Sequence, residues 1–333
     1  PFAKPPTKKI NCENKFDCMT TSFLHAVAMR LSDCSLSAGD TPPPRRQISA
    51  DELSLLLAHL EYLACGRVAA VSKEWSQAVH DQIHARPHVD KSQLSRRIKA
   101  TTHSAFARHC LGPHTLSLDL ANMRNMSGRL LVELLCHNAD LPSASPRMPN
   151  LHTLNLSAAE LDDESFLVLG WCCAHGMPLR HLHLWATDEI GDAAMRYFAM
   201  RTSSWVSFEP LREQQLFLSM GSEDNVGNEG NEAREEPEPL QLELLDLRMC
   251  GEVSGRGVEA VVSVAPWLTD VRLKGLRAID DAVFGTFGAS CPQLTALDAS
   301  GATCSNDGVR ALAKGCGALR TVVLSGCKRV SNP

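Results

Sequence analysis

The chain lacks three features that mark common classes of protein: a long apolar run, an excess of one charge sign and a catalytic motif. No apolar run reaches the ~18 residues that a membrane-spanning helix needs. The formal net charge of −5 gives no general attraction to nucleic acid or to anionic membranes. A P-loop, a GxGxxG after a strand, a GxSxG and an HExxH are all absent. The sequence therefore predicts a non-enzymatic chain with no cofactor, no membrane span and no nucleic-acid partner.

The 13 cysteines do not indicate a metal site. Cys172 and Cys173 lie near His175, but adjacent cysteines seldom both ligate one ion, and no CxxC pair accompanies them. Most of the cysteines recur at equivalent positions of the repeat described next. We therefore interpret them as small buried side chains in a reducing compartment, the cytoplasm or the nucleus. Residues 19–38 loosely resemble a transit peptide, which keeps a mitochondrial location as an alternative.

The second half of the chain repeats the pattern LxxLxL. Its copies begin at Leu151, Leu179, Leu242, Leu268, Leu294 and Leu319, with a degenerate first copy at Pro113. From Leu242 onward the copies are 26, 26 and 25 residues apart, which lies within the ~20–29 residues of a leucine-rich repeat. Each copy continues into a half with helical character. The pattern predicts an α/β leucine-rich-repeat solenoid, a horseshoe with a parallel sheet on its concave side and helices on its convex side.

One interval between copies is too long for a single repeat, because 63 residues separate Leu179 from Leu242. Residues 221–239 contain seven acidic residues and one Arg, which is typical of disorder. We place a disordered acidic insertion at about 219–240. Residues 213–218 are a candidate for a further strand, which the sequence leaves undecided. The last copy stops at Pro333, just after its strand, and a solenoid needs a capping unit, so we expect the C-terminus to be truncated.

A short helical module precedes the repeats. Apolar residues at helical spacing mark a first helix, and a second set follows Gly66. These residues are Leu53, Leu56, Leu57 and Leu60 in the first helix, and Val68, Val71 and Trp75 in the second. We assign 1–46 to a disordered or partly helical segment, 47–90 to the module, 91–112 to a helical connector and 113–333 to the repeats.

The module resembles an F-box over residues 48–75. Val71 to Trp75, in the order Val-Ser-Lys-Glu-Trp, falls on the closing motif of that family, whereas Ser49 replaces its opening Pro. The repeats resemble the cysteine-containing leucine-rich-repeat subtype, because Cys291 and Cys316 precede their strands and other cysteines follow theirs. The order of the two parts resembles that of F-box and leucine-rich-repeat proteins.

That resemblance implies a function in protein degradation. An F-box protein of this kind is the non-catalytic substrate receptor of a cullin–RING (SCF) ubiquitin ligase. The F-box would bind the ligase adaptor, through Leu53, Leu56, Leu57, Leu60, Val68, Val71 and Trp75, and the adaptor would connect it to the cullin. The repeats would bind the protein substrate. The residues alone leave a second function open, a leucine-rich-repeat scaffold or assembly factor of a large complex with no ubiquitin role.

Strand alternation predicts which residues a partner would meet. In LxxLxL the Leu side chains point inward and the intervening side chains point to the concave face. The predicted partner-binding residues are Asn155, His181, His183, Trp185, Asp246, Arg248, Asp270, Arg272, Lys274 and Asp298. An exposed Trp beside basic residues suits a protein segment of acidic and apolar character. Two alternatives are that Trp185 packs under the insertion, and that the acidic insertion covers the basic residues.

Overall fold

The computed structural model describes residues 77, 81, 88–90, 111–123, 126, 128–137, 145–163, 165–201, 238–276 and 278–331. The chain divides into two compact units, Pro1–Ile83 and His84–Pro333. Within the first unit, Gln77 Nε2 donates a hydrogen bond to Asp81 Oδ1 at 2.8 Å, one helical turn away. The adaptor-binding residues, the candidate strand at 213–218 and nearly all of the acidic insertion lie outside the described residues.

The second unit is built on an eight-stranded parallel sheet whose strands follow one another in chain order. These strands are β1 (His88–Asp90), β2 (Ser117–Asp119), β5 (Thr153–Asn155), β6 (His181–His183), β7 (Leu244–Asp246), β8 (Asp270–Arg272), β9 (Ala296–Asp298) and β10 (Thr321–Val323). A separate antiparallel pair consists of β3 (Cys136–His137) and β4 (Ser145–Pro146).

Six helices alternate with these strands in the described part of the chain. They are α1 (Gly128–Leu135), α2 (Ser165–Ala174), α3 (Asp192–Met200), α4 (Gly255–Val262), α5 (Asp281–Ser290) and α6 (Asn306–Gly315). None of the helices in the described ranges is both long and apolar enough to span a bilayer. The predicted α/β arrangement of a parallel sheet with helices is confirmed.

The central residues of the strands from β1 to β9 that belong to the eight-stranded sheet build the core. Leu118, Leu154, Leu182, Leu245, Val271 and Leu297 are paired across the sheet in register and are at most 1% exposed. The leucines two positions later are also buried, as in Leu184 and Leu247. Because side chains alternate along a strand, a slip of one residue would turn every leucine to solvent. The repeat pattern therefore fixes the register.

The helices pack against one another behind the sheet, in the pairs α1–α2, α2–α3, α3–α4, α4–α5 and α5–α6. Packed helix axes lie about 8–10 Å apart, whereas neighbouring strands lie about 4.8 Å apart. A stack of strand–helix units bends to accommodate this difference, with the strands on the inner side. The exposed side of the sheet is therefore its concave face.

One feature differs from the sequence prediction. The strand β1 lies at the end of the range 47–90, where the sequence predicts a helical module, and Val89 fills the leucine position at 2% exposure. No LxxLxL pattern marks this strand. The strand β6 pairs directly with β7, so the sheet passes from one to the other across the long interval.

Five repeat cysteines are buried, which confirms their interpretation as core residues: Cys250, Cys291, Cys304, Cys316 and Cys327. Four of these thiols, those of Cys250, Cys291, Cys316 and Cys327, also donate to main-chain carbonyls of the preceding repeat, as Cys250 does to Leu184 O at 2.9 Å. Burial raises the pKa of Cys250 to about 11 and that of Cys291 to about 12. These thiols are therefore protonated at neutral pH and unreactive as nucleophiles.

Candidate protein-binding face

Two rows of side chains on the concave face contain most of the predicted partner-binding residues. The middle row is formed by the third residue of each strand and contains Asp119, Asn155, His183, Asp246, Arg272 and Asp298. The rim row lies two residues further along and contains Ser157, Trp185, Arg248, Lys274 and Ser300. All the predicted partner-binding residues lie in these rows, except His181 and Asp270, which are the first residues of β6 and β8.

Most acidic and amide side chains of the middle row are used inside the protein. Each accepts a hydrogen bond from the main-chain amide two residues later: Asp119 from Ala121 at 2.8 Å, Asn155 from Ser157 at 3.0 Å, Asp246 from Arg248 at 3.2 Å and Asp298 from Ser300 at 3.1 Å. These side chains fix the turn that ends each strand. Asn155, Asp246 and Asp298 therefore have a structural role that the sequence prediction did not include.

The hydrogen-bond pattern of the sheet explains this role. The amides of Leu247 and Met249 donate to Arg272 O and Lys274 O of the next repeat, both at 2.9 Å. The amide of Arg248 lies between them and faces the other way along the sheet. A main-chain amide needs a hydrogen-bond partner when it is shielded from water, and the Asp246 carboxylate provides one.

Asp246 is the centre of an ion-pair network. Its side chain is 2% exposed, and it accepts hydrogen bonds from Arg248 Nε at 2.8 Å and Arg248 Nη2 at 2.6 Å. His183 Nδ1 lies 3.9 Å and Arg272 Nη1 4.0 Å from Asp246 Oδ2. Burial alone would raise the pKa of Asp246, but the interactions with His183 and Arg248 outweigh it and hold the pKa well below its usual range.

The second guanidinium of the face is held in the same way. Arg272 donates to Asp270 through Nη2 at 2.7 Å and Nε at 3.3 Å. The two arginines are thus fixed side by side by carboxylates of their own strands. A fork-to-fork pair of this kind restricts the arginine side chain, so both guanidiniums are preorganised before a partner arrives.

The two histidines of β6 have carboxylate neighbours that the sequence prediction missed. His181 Nε2 lies 3.8 Å from Glu243 Oε2, and His181 Nδ1 lies 3.0 Å from Thr153 Oγ1. Glu243 also accepts from Arg180 Nη1 at 3.2 Å. No pattern in the sequence indicates these contacts, because Glu243 belongs to the repeat beyond the long interval. No cluster of metal-ligating residues occurs within the described ranges.

Three large side chains of the face are open to solvent. Trp185 is 48% exposed, Met249 is 53% exposed, and Lys274 is exposed. Met249 was not predicted as a site residue. In the sequence, Met249 differs from the following repeats, which have Gly275 and Gly301 at the equivalent position. The adaptor-binding residues Leu53, Leu56, Leu57, Leu60, Val68, Val71 and Trp75 lie outside the described residues.

Comparison with known proteins does not identify a family. No family model matches the chain, and no curated protein matches it. Solved structures with some likeness include the complex of Rad7 and Elc1 in yeast. That match has 12% sequence identity and a TM-score of 0.29, and it covers 96% of this chain and 89% of that chain. The complex of TLR13 with ssRNA13 has 12% identity, 74% and 33% coverage, and a TM-score of 0.36. Likeness at this level carries no argument about function.

Proposed function

We propose that this chain is the substrate-recognition subunit of a cullin–RING ubiquitin ligase. In this proposal the F-box-like module at 47–90 binds the ligase adaptor, and the adaptor connects it to the cullin. The concave face of the repeats binds the protein that is to be modified. The chain is not itself an enzyme, and the chemistry of ubiquitin transfer comes from its partners.

The side chains of the concave face support the target-binding part of the proposal. It combines exposed Trp185 and Met249 with two arginines that are already held by carboxylates. Trp and Arg dominate the energetics of many protein interfaces. Fixing a side chain before binding reduces the entropy lost on association. The face therefore suits a protein partner, since it offers exposed side chains for packing and held guanidinium groups for ion pairs.

The adaptor-binding part is supported by the sequence alone. Val71 to Trp75 matches the closing motif of an F-box, and the apolar residues before it have helical spacing. A second candidate is a structural subunit or assembly factor without a ubiquitin role. Ser49, in place of the opening Pro of the F-box, favours this second candidate.

The two candidates differ in adaptor binding. The test is a titration of the full chain with the purified adaptor subunit, and with the variants Leu57→Ala and Trp75→Ala. We expect binding at or below micromolar concentration, weakened about tenfold or more in each variant, as is usual for an interface hot spot. Trp267→Ala is the matched control, because it removes an exposed Trp from the repeats. Absence of binding at micromolar concentration would overturn the ligase role and leave the scaffold role.

A further inference from the structure

Four residues of three consecutive repeats meet at the rim of the concave face. They are Trp185 from the repeat of β6, Arg248 and Met249 from that of β7, and Lys274 from that of β8. Main-chain hydrogen bonds connect the three repeats at this point, from Ala186 N to Arg248 O at 2.8 Å and from Met249 N to Lys274 O at 2.9 Å. We call these four residues the rim ridge.

Met249 is the unusual member of the ridge. Its φ of 63° lies in the left-handed region, which costs a non-glycine residue about 1–2 kcal/mol. The equivalent residue is a glycine in the following repeats, at 275, 301 and 326, whereas Asn122, Ala158 and Ala186 take the same left-handed conformation in the preceding repeats. The strain is not repaid by burial, because Met249 is 53% exposed. The left-handed turn is therefore common to the repeats, and Met249 is set apart by the large apolar side chain that it exposes on the rim, where a partner can contact it.

The neighbouring repeat makes room for this methionine. A Cβ at Gly275 would lie 2.7 Å from Met249 Sδ, so the thioether lies directly over the glycine. The methionine is therefore turned along the rim toward the repeat of Lys274. Trp185 provides an aromatic surface in the repeat on the other side. Both indole and thioether groups pack readily against apolar side chains.

The charges of the ridge that face solvent are positive. Arg248 is 37% exposed, whereas the Asp246 carboxylate that holds it is 2% exposed and lies beneath it. The bonds to Asp246 use Nε and Nη2, and Nη1 takes no part in them. Lys274 is exposed, and its side-chain ammonium has no ion-pair or hydrogen-bond partner among the described residues. A partner at this rim therefore meets two cationic groups beside two apolar ones.

We infer that the rim ridge binds a linear segment of the target protein that carries one large apolar side chain and one carboxylate. The apolar side chain packs between Trp185 and Met249, and the carboxylate binds Lys274 and Arg248. Trp185 and Lys274 are two strands apart, about 10 Å, and an extended chain advances about 3.3 Å per residue. The acidic residue therefore lies about three positions from the apolar one.

A single-stranded nucleic acid also stacks on aromatic residues and binds cations, but this face favours a peptide. Asp270 and Asp298 lie on the same face, as does Glu243 beside His181, and these carboxylates repel phosphates. The formal net charge of the chain is −5. Counterion release requires several cationic contacts to phosphates, and the rim ridge supplies only two cations.

The experiment is a selection of a random-peptide phage library on the full chain, followed by titration of the enriched peptide with a fluorescent label. We expect a consensus with a large apolar residue and an acidic residue about three positions apart. Trp185→Ala should weaken the labelled peptide about tenfold or more, as expected for a central interface Trp. Lys274→Glu, in a second selection, should replace the acidic residue of the consensus with Lys or Arg.

Met249→Gly separates binding from folding. Glycine relieves the left-handed strain at this position. The melting temperature of the variant should therefore lie no more than a few degrees below that of the wild type, while its affinity for the peptide falls. The matched controls are Trp267→Ala, which removes another Trp of 48% exposure, and Lys314→Glu, which makes the same charge reversal on α6. Neither should change the affinity.

Three outcomes would overturn this inference. They are a consensus without an acidic residue, an affinity that Trp185→Ala and Met249→Gly leave unchanged, and tighter binding of a labelled oligouridine than of any selected peptide. The inference rests on the proposed target-binding role of the concave face and not on adaptor binding. Peptides that map to other residues of the face would refute the rim ridge and leave the proposed function standing, whereas the adaptor titration tests the ligase role separately.

Discussion

At the residue scale, the concave face shows how one side chain serves both structure and recognition. Asp246 accepts the Arg248 amide, which ends the strand, and holds the Arg248 guanidinium, which faces a partner. Strand alternation predicts that Asp246 points to the concave side, and it does. Alternation does not predict that arginine covers the carboxylate, because that depends on which side chains stand next to it in the fold.

Replacing Asp246 tests its structural role. Asp246→Asn keeps an oxygen for the Arg248 amide but removes the charge that holds the guanidinium. Hydrogen bonds to charged groups contribute about 1.5–3 kcal/mol, so we expect a loss of roughly that size in the unfolding free energy from urea titration. Asp307→Asn is the matched control, because it breaks the exposed pair with Arg310 on α6. Exposed pairs contribute little, and an equal loss in the two variants would contradict the assignment.

The same carboxylate predicts a dependence of stability on pH. The folded-state pKa of Asp246 lies below its unfolded value of 3.8. Its contribution is therefore fully present above that value and is lost as the pH falls toward the folded-state pKa. Asp281, whose hydrogen bonds with Ser305 lower its pKa, adds to the effect. Between pH 6 and pH 3 (roughly the window in which carboxylates titrate), the wild type should lose more unfolding free energy than Asp246→Asn. Parallel curves would show that Asp246 does not contribute.

At the scale of elements, neighbouring helices are joined through acidic residues of their first turns. Asp281 in α5 accepts from Ser305 N at 2.5 Å and from Ser305 Oγ at 2.7 Å, just before α6. Asp192 in α3 makes the same contacts with Ser254, just before α4, at 2.7 and 2.5 Å. Each repeat thereby helps to cap the next one, in addition to the contacts between helix surfaces.

This connection can be removed with one substitution. Asp281→Ala leaves Ser305 without its carboxylate partner, and loss of a cap interaction costs about 0.5–2 kcal/mol. We expect a decrease of that size in the unfolding free energy, and faster hydrogen exchange in α6 than in α4. Glu252→Ala, at an exposed residue, is the control and should leave both measurements unchanged. Unchanged exchange in α6 for Asp281→Ala would show that the helices are joined by packing alone.

Elements with leucine spacing could be predicted from the sequence, and elements without it could not. The strands β5 to β10 all begin within LxxLxL or its close variants, and their central residues are those predicted to point inward. The strand β1 has only Val89 in the pattern, and the pair β3–β4 has none. Those strands depend on neighbours that exist only in the folded chain. The capping role of Asp280 could be predicted, because it requires only the first turn of its own helix.

At the scale of the whole molecule, the second unit is a stack in which each repeat contacts mainly the repeats before and after it. Its stability is approximately the sum of the repeats and of the interfaces between them. The concave face is continuous across these interfaces, so the position of each side chain depends on both neighbours. A substitution should therefore cost more in the interior of the stack than at a strand that is paired on one side.

Two valines at equivalent positions allow this dependence to be measured. Val271 in β8 is 0% exposed and has paired strands on both sides, whereas Val322 in β10 is 36% exposed and, among the strands that the structure describes, has β9 as its one neighbour. Val271→Ala removes buried apolar groups at about 0.8 kcal/mol each and leaves a cavity, so we expect a loss of about 2–3 kcal/mol. Val322→Ala should cost less than about 1 kcal/mol, because solvent already reaches the side chain. Equal losses in urea unfolding would mean that β10 is as well packed as β8 in solution, and that another part of the chain or a second copy covers it.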